Sequence, residues 1–197
     1  MRPRLVYFAA SALTLTALLL PLWGFAMSAP QYPDETLHLR ISRAGITGDV
    51  HEVSTLQQYI GVRFPAELPE LIWAKRGIAA IALLLVTAAV AGSGRAARAY
   101  RAACAMALLA FLLASAAAVQ SRLYAVGHDR DPRAPIKAVH DFTPLLIGPT
   151  KVGNFTVWSY PHAGAMLLLA AAALSVAGVR VQPKKSPDYT VPTKAAA

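Results

Sequence analysis

The chain has 197 residues, of which 56% are hydrophobic and only 15% charged, with a net charge of +9. Soluble domains average about 45–50% apolar and about 25% charged residues, so disorder and ordinary soluble globularity both fit badly. The single cysteine, Cys104, excludes an intramolecular disulfide, a cysteine-based zinc site and a CxxCH haem attachment.

Taken in chain order, residues 5–27 carry no charged side chain and follow Arg2 and Arg4. Ala26-Met27-Ser28 has the form of a signal-peptidase site, but the apolar run exceeds the usual 7–15 residues of a signal peptide, so an uncleaved first transmembrane helix is expected. Residues 28–76 form a first outer segment. Leu37, Leu39 and Ile41 alternate there with Thr36, His38 and Arg40, the period of a half-buried strand. Ser42–Gly45 supplies a turn, and a second short strand is expected around Val50–Val53. Ser54 then caps a short helix carrying Leu56, Tyr59 and Ile60 at helical spacing. Residues 77–94 form a second span, residues 95–101 an arginine loop and residues 102–121 a third span. Residues 122–161 are a second outer segment, rich in turn residues and expected to be mostly extended. Residues 162–179 are a fourth span and 180–197 a polar tail. The expected fold is an all-α integral membrane protein, four transmembrane helices with a small extracytoplasmic α+β cap formed by the two long loops.

The charges orient this arrangement. Arg2, Arg4, Arg95, Arg98, Arg101, Arg180, Lys184, Lys185 and Lys194 flank the spans on one side with Asp188 as the only acid there, and the other acids fall in the outer segments. Lysine and arginine mark the cytoplasmic side, which places both termini inside. Trp23, Trp73 and Trp158 fall at the outer boundary and Tyr7 and Tyr100 at the inner one, as aromatic belts do. The basic flanks therefore read as contacts for anionic lipid headgroups and not as a nucleic-acid surface. On the third span, Ala102, Met106, Ala110, Ala114 and Ala118 share one stripe, and Ala170, Leu174 and Gly178 share another on the fourth. Both are expected to be close helix contacts.

No ionisable side chain lies near the centre of any span, which disfavours a proton relay, an ion pathway or a haem between the helices. Chemistry is confined to the outer side. His51, His128, His140 and His162 are a candidate metal set, imidazole being a common ligand for copper and zinc, with copper the metal considered, although no HxH or HxxxH spacing occurs. Asp129, Asp131, Arg133, Lys137 and Tyr59 are candidate partner-binding residues, weighed against an ordinary solvated loop in which the acids pair with Arg130 and Arg133. Asp49 and Glu52 have the types of an acid–base pair but no nucleophile beside them, so Asp49 reads as a turn residue. No catalytic residues are identified.

The stretches Ala29–Pro33, Leu37–Leu39, Gly48–Val53 and Leu56–Gly61, together with Gly127–Lys137, Asn154–Thr156 and Ser159–Pro161, carry a resemblance. The chain resembles the four-helix bacterial membrane proteins encoded beside nitrous oxide reductase of the Sec-exported type. That resemblance implies an accessory role in periplasmic nitrous oxide reduction, through maturation of the copper enzyme or electron supply. The function expected is thus a non-catalytic membrane accessory protein, without a cofactor of its own, whose partners are membrane lipid and a periplasmic or membrane redox protein. The competing reading is a membrane redox subunit or enzyme with a quinone or metal site at the outer interface.

Overall fold

The computed structural model describes residues 3–29, 32–62, 68, 70–131, 133–135 and 140–180, apart from the side chains of 32–34 and 59. The elements are helix α1 (Pro3–Ala17), strands β1 (Trp23–Ala29), β2 (Tyr32–Ser42) and β3 (Gly45–Gly48), helices α2 (Val50–Ile60), α3 (Glu70–Val90) and α4 (Arg95–His128), strands β4 (Gly148–Val152) and β5 (Phe155–Pro161), and helix α5 (Ala163–Arg180).

The expectation of an all-α protein of four transmembrane helices does not hold. The fold is α+β, a helical bundle topped by a five-stranded antiparallel sheet in the order β3-β2-β1-β5-β4. Three helices, α3, α4 and α5, are long and apolar enough to cross a membrane. The first expected span breaks at its middle. α1 ends at Ala17 after about 22 Å of rise, short of the roughly 30 Å hydrocarbon core. Pro21 has no amide proton to continue a helix, and from Trp23 large and small residues alternate, Trp23, Phe25 and Met27 against Gly24, Ala26 and Ser28. That is strand periodicity written in uncharged, mostly apolar residues, and hydropathy alone merges it with the helix.

α1 packs against α3 and α5, and α4 against α3 and α5, around a core of Tyr7, Ala10, Leu85, Cys104, Leu108 and Ala171. Large side chains also point outward, with Leu83 65% and Leu113 72% exposed. Such apolar surface suits lipid and not water. The stripe expected on α4 is corrected by this geometry, and that on α5 holds in part, with Leu174 packed on the core and Gly178 buried. Met106, Ala110, Ala114 and Ala118 face away from the bundle, and so does Ala170. The buried contacts of α5 are instead Gly164, Leu168, Ala171, Ala172, Ser175 and Gly178. At Gly178 an added Cβ would lie 2.8 Å from the Tyr7 ring.

Arg101 is corrected as well. It is not a loop charge but 7% exposed, its Nε donating to Ala88 O at 3.1 Å and its Nη2 to Ala91 O at 2.7 Å and Gly92 O at 3.2 Å. The guanidinium thus takes up carbonyls that the C-terminal end of α3 leaves unsatisfied. Tyr7 is equally buried, its hydroxyl donating to Ser175 O at 2.9 Å, and so does not belong to an interfacial belt.

The sheet grows directly out of the bundle. α1 leads into β1 and β5 leads into α5, and the junction is knit by Leu22 N–H to Ile41 O, His162 N–H to Leu22 O and Gly164 N–H to Pro21 O. α4 runs about 51 Å, well beyond a hydrocarbon core. Its outer end carries Val119 and Leu123 onto the sheet, where they meet Phe25, Leu39 and Val53. The two outer segments therefore fold as one cap, with β1 as its shared central strand. The second segment, expected to be extended, supplies the last turns of α4 and both β4 and β5. The strand expected at Val50–Val53 is the first turn of α2, and Asp49, not Ser54, precedes that helix.

Candidate functional site

Side chains alternate across the sheet, so its two faces differ in chemistry. The inner face carries Phe25, Met27, Leu37, Leu39, Ile41, Ile46 and Val157, covered by α2 and the end of α4. The register fixes the outer face row by row. Arg40, Gly24 and Tyr160 lie side by side, then His38, Ala26 and Trp158, then Thr36, Ser28 and Thr156, with Lys151 on β4 beyond. The central strand contributes only Gly, Ala and Ser, which makes it a shallow floor. The Tyr160 ring lies across Gly24, where a Cβ would come within 2.6 Å of it. Trp158 is 51% exposed, and Thr36, His38, Arg40 and Lys151 are exposed. Among the described side chains of these strands the outer face bears Arg40 and Lys151 and no acid.

The sheet is locked by residues whose sequence roles were local. Ser159 is buried on the inner side, accepts from Trp23 Nε1 at 2.8 Å and donates to Leu146 O at 2.7 Å. Asp49 accepts from His38 N–H at 2.7 Å, pinning the turn after β3. Gly48 is required there, with φ +108° and His38 O only 2.0 Å from where a Cβ would sit. Asp49 is thus an anchor, and it is not paired with Glu52.

A second surface lies between α2 and the inner face of the sheet. It is an open groove of about 360 Å³ lined by Met27, Ala29, Leu37, Leu56 and Phe155, with Glu35, His51, Glu52 and Thr55 on its walls. His51, Glu52, Thr55 and Leu56 recur at one face of α2, and Glu35 reaches it from β2. Reading residues 5–27 as a membrane helix hides this groove, because Met27 then belongs to a lipid-embedded span.

The expected partner-binding residues are brought together in part. Asp131 N–H donates to Gly61 O at 2.8 Å, so the loop after α4 is strapped to the end of α2, two residues from Tyr59. The Asp131 carboxylate accepts from Arg133 N–H at 2.9 Å. Arg130 donates to Ile60 O at 3.0 Å and lies 3.9 Å from Asp141. Asp131 and Arg130 thus build the loop, while Asp129 is exposed at the end of α4. Lys137 and the Tyr59 side chain lie outside the described residues.

The four candidate metal ligands are held separately. His51 is on α2, and His128 stacks on Tyr124 at 3.9 Å with Nδ1 2.9 Å from Tyr124 O. His140 is exposed, and His162 Nδ1 accepts from Ala163 N–H where β5 meets α5. Among the described residues no group of three or more His, Cys, Asp and Glu side chains is placed to hold a metal ion. Against known protein families, curated proteins and solved structures, the chain finds no match.

Proposed function

We propose that this protein is a non-catalytic membrane accessory protein whose outer sheet face docks an acidic surface of an extracytoplasmic redox protein. The observation that supports it is the outer face itself, where Trp158 stands exposed over a Gly24–Ala26–Ser28 floor between Arg40 and Lys151. Exposed aromatics beside arginine are the anchors of protein interfaces, and one sign of charge steers an oppositely charged partner. In this reading α3, α4 and α5 cross a bacterial inner membrane, and α1 with the uncharged residues 18–22 completes the bundle. The Arg95–Arg101 end of the bundle lies in the cytoplasm, following the arginine distribution. The resemblance noted in the sequence makes the nitrous oxide reductase system the partner to test.

The test is site-specific photocrosslinking at position 158 in native membranes. The expected outcome is an adduct with one extracytoplasmic redox protein, weakened about tenfold by the pair Arg40→Glu and Lys151→Glu at low salt. An adduct indifferent to this charge reversal, or none at position 158, overturns the reading.

A further inference from the structure

The groove beneath α2 lies on the opposite side of the sheet from the docking face and is independent of it. We propose that it is a binding site for a small organic cation, an amine or quaternary ammonium on a compact apolar body.

Three features converge on that chemistry. The volume of about 360 Å³ falls at the lower end of the range for small-molecule sites. Its floor is apolar, and Met27, Leu37, Leu56 and Phe155 are only half-buried because α2 does not close fully onto the sheet at this end. A thioether and an aromatic ring there form a soft, polarisable surface suited to an alkyl or aryl body. Among the described residues, the charged side chains that line it are Glu35 and Glu52, joined by His51, with no lysine or arginine. Neither carboxylate has a hydrogen-bond or ion-pair partner among the described residues, whereas Glu70 has Arg122 and Asp49 has the His38 amide. An anionic ligand is repelled by this lining. A cation is attracted by the carboxylates and, over the Phe155 face, by the ring quadrupole.

The position says where the ligand comes from. Ala29 and Phe155 lie at the far end of β1 and β5 from the bundle, about 20 Å of strand from Trp23. The site therefore lies at the end of the sheet remote from the bundle, where a water-soluble ligand reaches it through the open side of the groove.

Protein in nanodiscs is titrated with benzyltrimethylammonium, benzylamine, benzyl alcohol and benzoate by ligand-observed NMR, with empty nanodiscs subtracted. Both cations are expected to bind, and the alcohol and the benzoate at least about tenfold more weakly. Glu35→Gln with Glu52→Gln weakens cation binding about tenfold and leaves melting unchanged, since both side chains are exposed. Phe155→Leu weakens the quaternary ammonium about threefold. Gln58→Ala, an exposed α2 position outside the lining, leaves binding unchanged. Equal binding of the alcohol, or full affinity in the double glutamine variant, overturns the proposal. So does capture of a basic peptide such as pentalysine without any binding of the amines, which would make the groove a protein contact.

Discussion

Replacing Arg101 with methionine separates two roles of one charge. As a topology signal, Arg101 is equivalent to Arg98, since each adds one positive charge to the same end of the bundle. Structurally they differ. Arg98 is exposed, whereas Arg101 is buried and gives three hydrogen bonds to carbonyls near the end of α3, at 3.1, 2.7 and 3.2 Å. A hydrogen bond to a charged group contributes about 1.5–3 kcal/mol by mutation. The three share one guanidinium and are not additive, and the desolvation of the buried charge offsets part of the sum. A net loss of about 3 kcal/mol remains, roughly 150-fold in the unfolding equilibrium. For a chain of this size it lowers the melting midpoint by about 6–12 °C. Arg101→Lys restores about half, because one ammonium cannot reproduce the planar fork that spans Ala88 O and Gly92 O. Thermal unfolding in nanodiscs measures all three variants. Arg101→Met and Arg98→Met melting together, within about 2 °C of the parent, would refute the reasoning.

Gly178→Ala drives a methyl group against the buried Tyr7 ring and is expected to cost about 1–3 kcal/mol, whereas Ala110→Leu and Ala114→Leu, on the outward stripe of α4, stay within about 0.5 kcal/mol in the same melts. Ser159→Ala strips the Trp23 indole and the Leu146 carbonyl of their shared partner at a cost of about 1–3 kcal/mol, read as a shift in tryptophan emission with faster proteolysis of the cap. The Glu70–Arg122 pair joining the outer ends of α3 and α4 is more than a third exposed on both sides, so Glu70→Gln is expected to lower stability by no more than about 1 kcal/mol.

The sequence by itself determines that α3, α4 and α5 are long and apolar enough to cross a membrane, because a run of about twenty uncharged residues is a local property that needs no partner. It also determines strand β2, where Leu37, Leu39 and Ile41 alternate with polar residues up to the turn after Ser42, but not its partner, which is Gly45–Gly48 and not the expected Val50–Val53. The other strands depend on long-range pairing. β1 is apolar on both faces because one face meets α2 and α4 while the other is a floor of Gly24, Ala26 and Ser28. No polar alternation then marks it as a strand, and only pairing with β2 and with β5, more than a hundred residues away, separates it from the helix before it. The same non-locality governs the side chains. An arginine at the start of a helix reads as a solvated charge until a neighbouring helix end presents carbonyls to it, as α3 does to Arg101. A run of alanines reads as a contact until rotation of α4 turns it away from the bundle. The groove of Met27, Glu35, Glu52 and Phe155 draws on four separate elements, β1, β2, α2 and β5. Which residues share a surface was therefore decided by the packing of the cap, through sheet register and helix rotation that local periodicity does not encode.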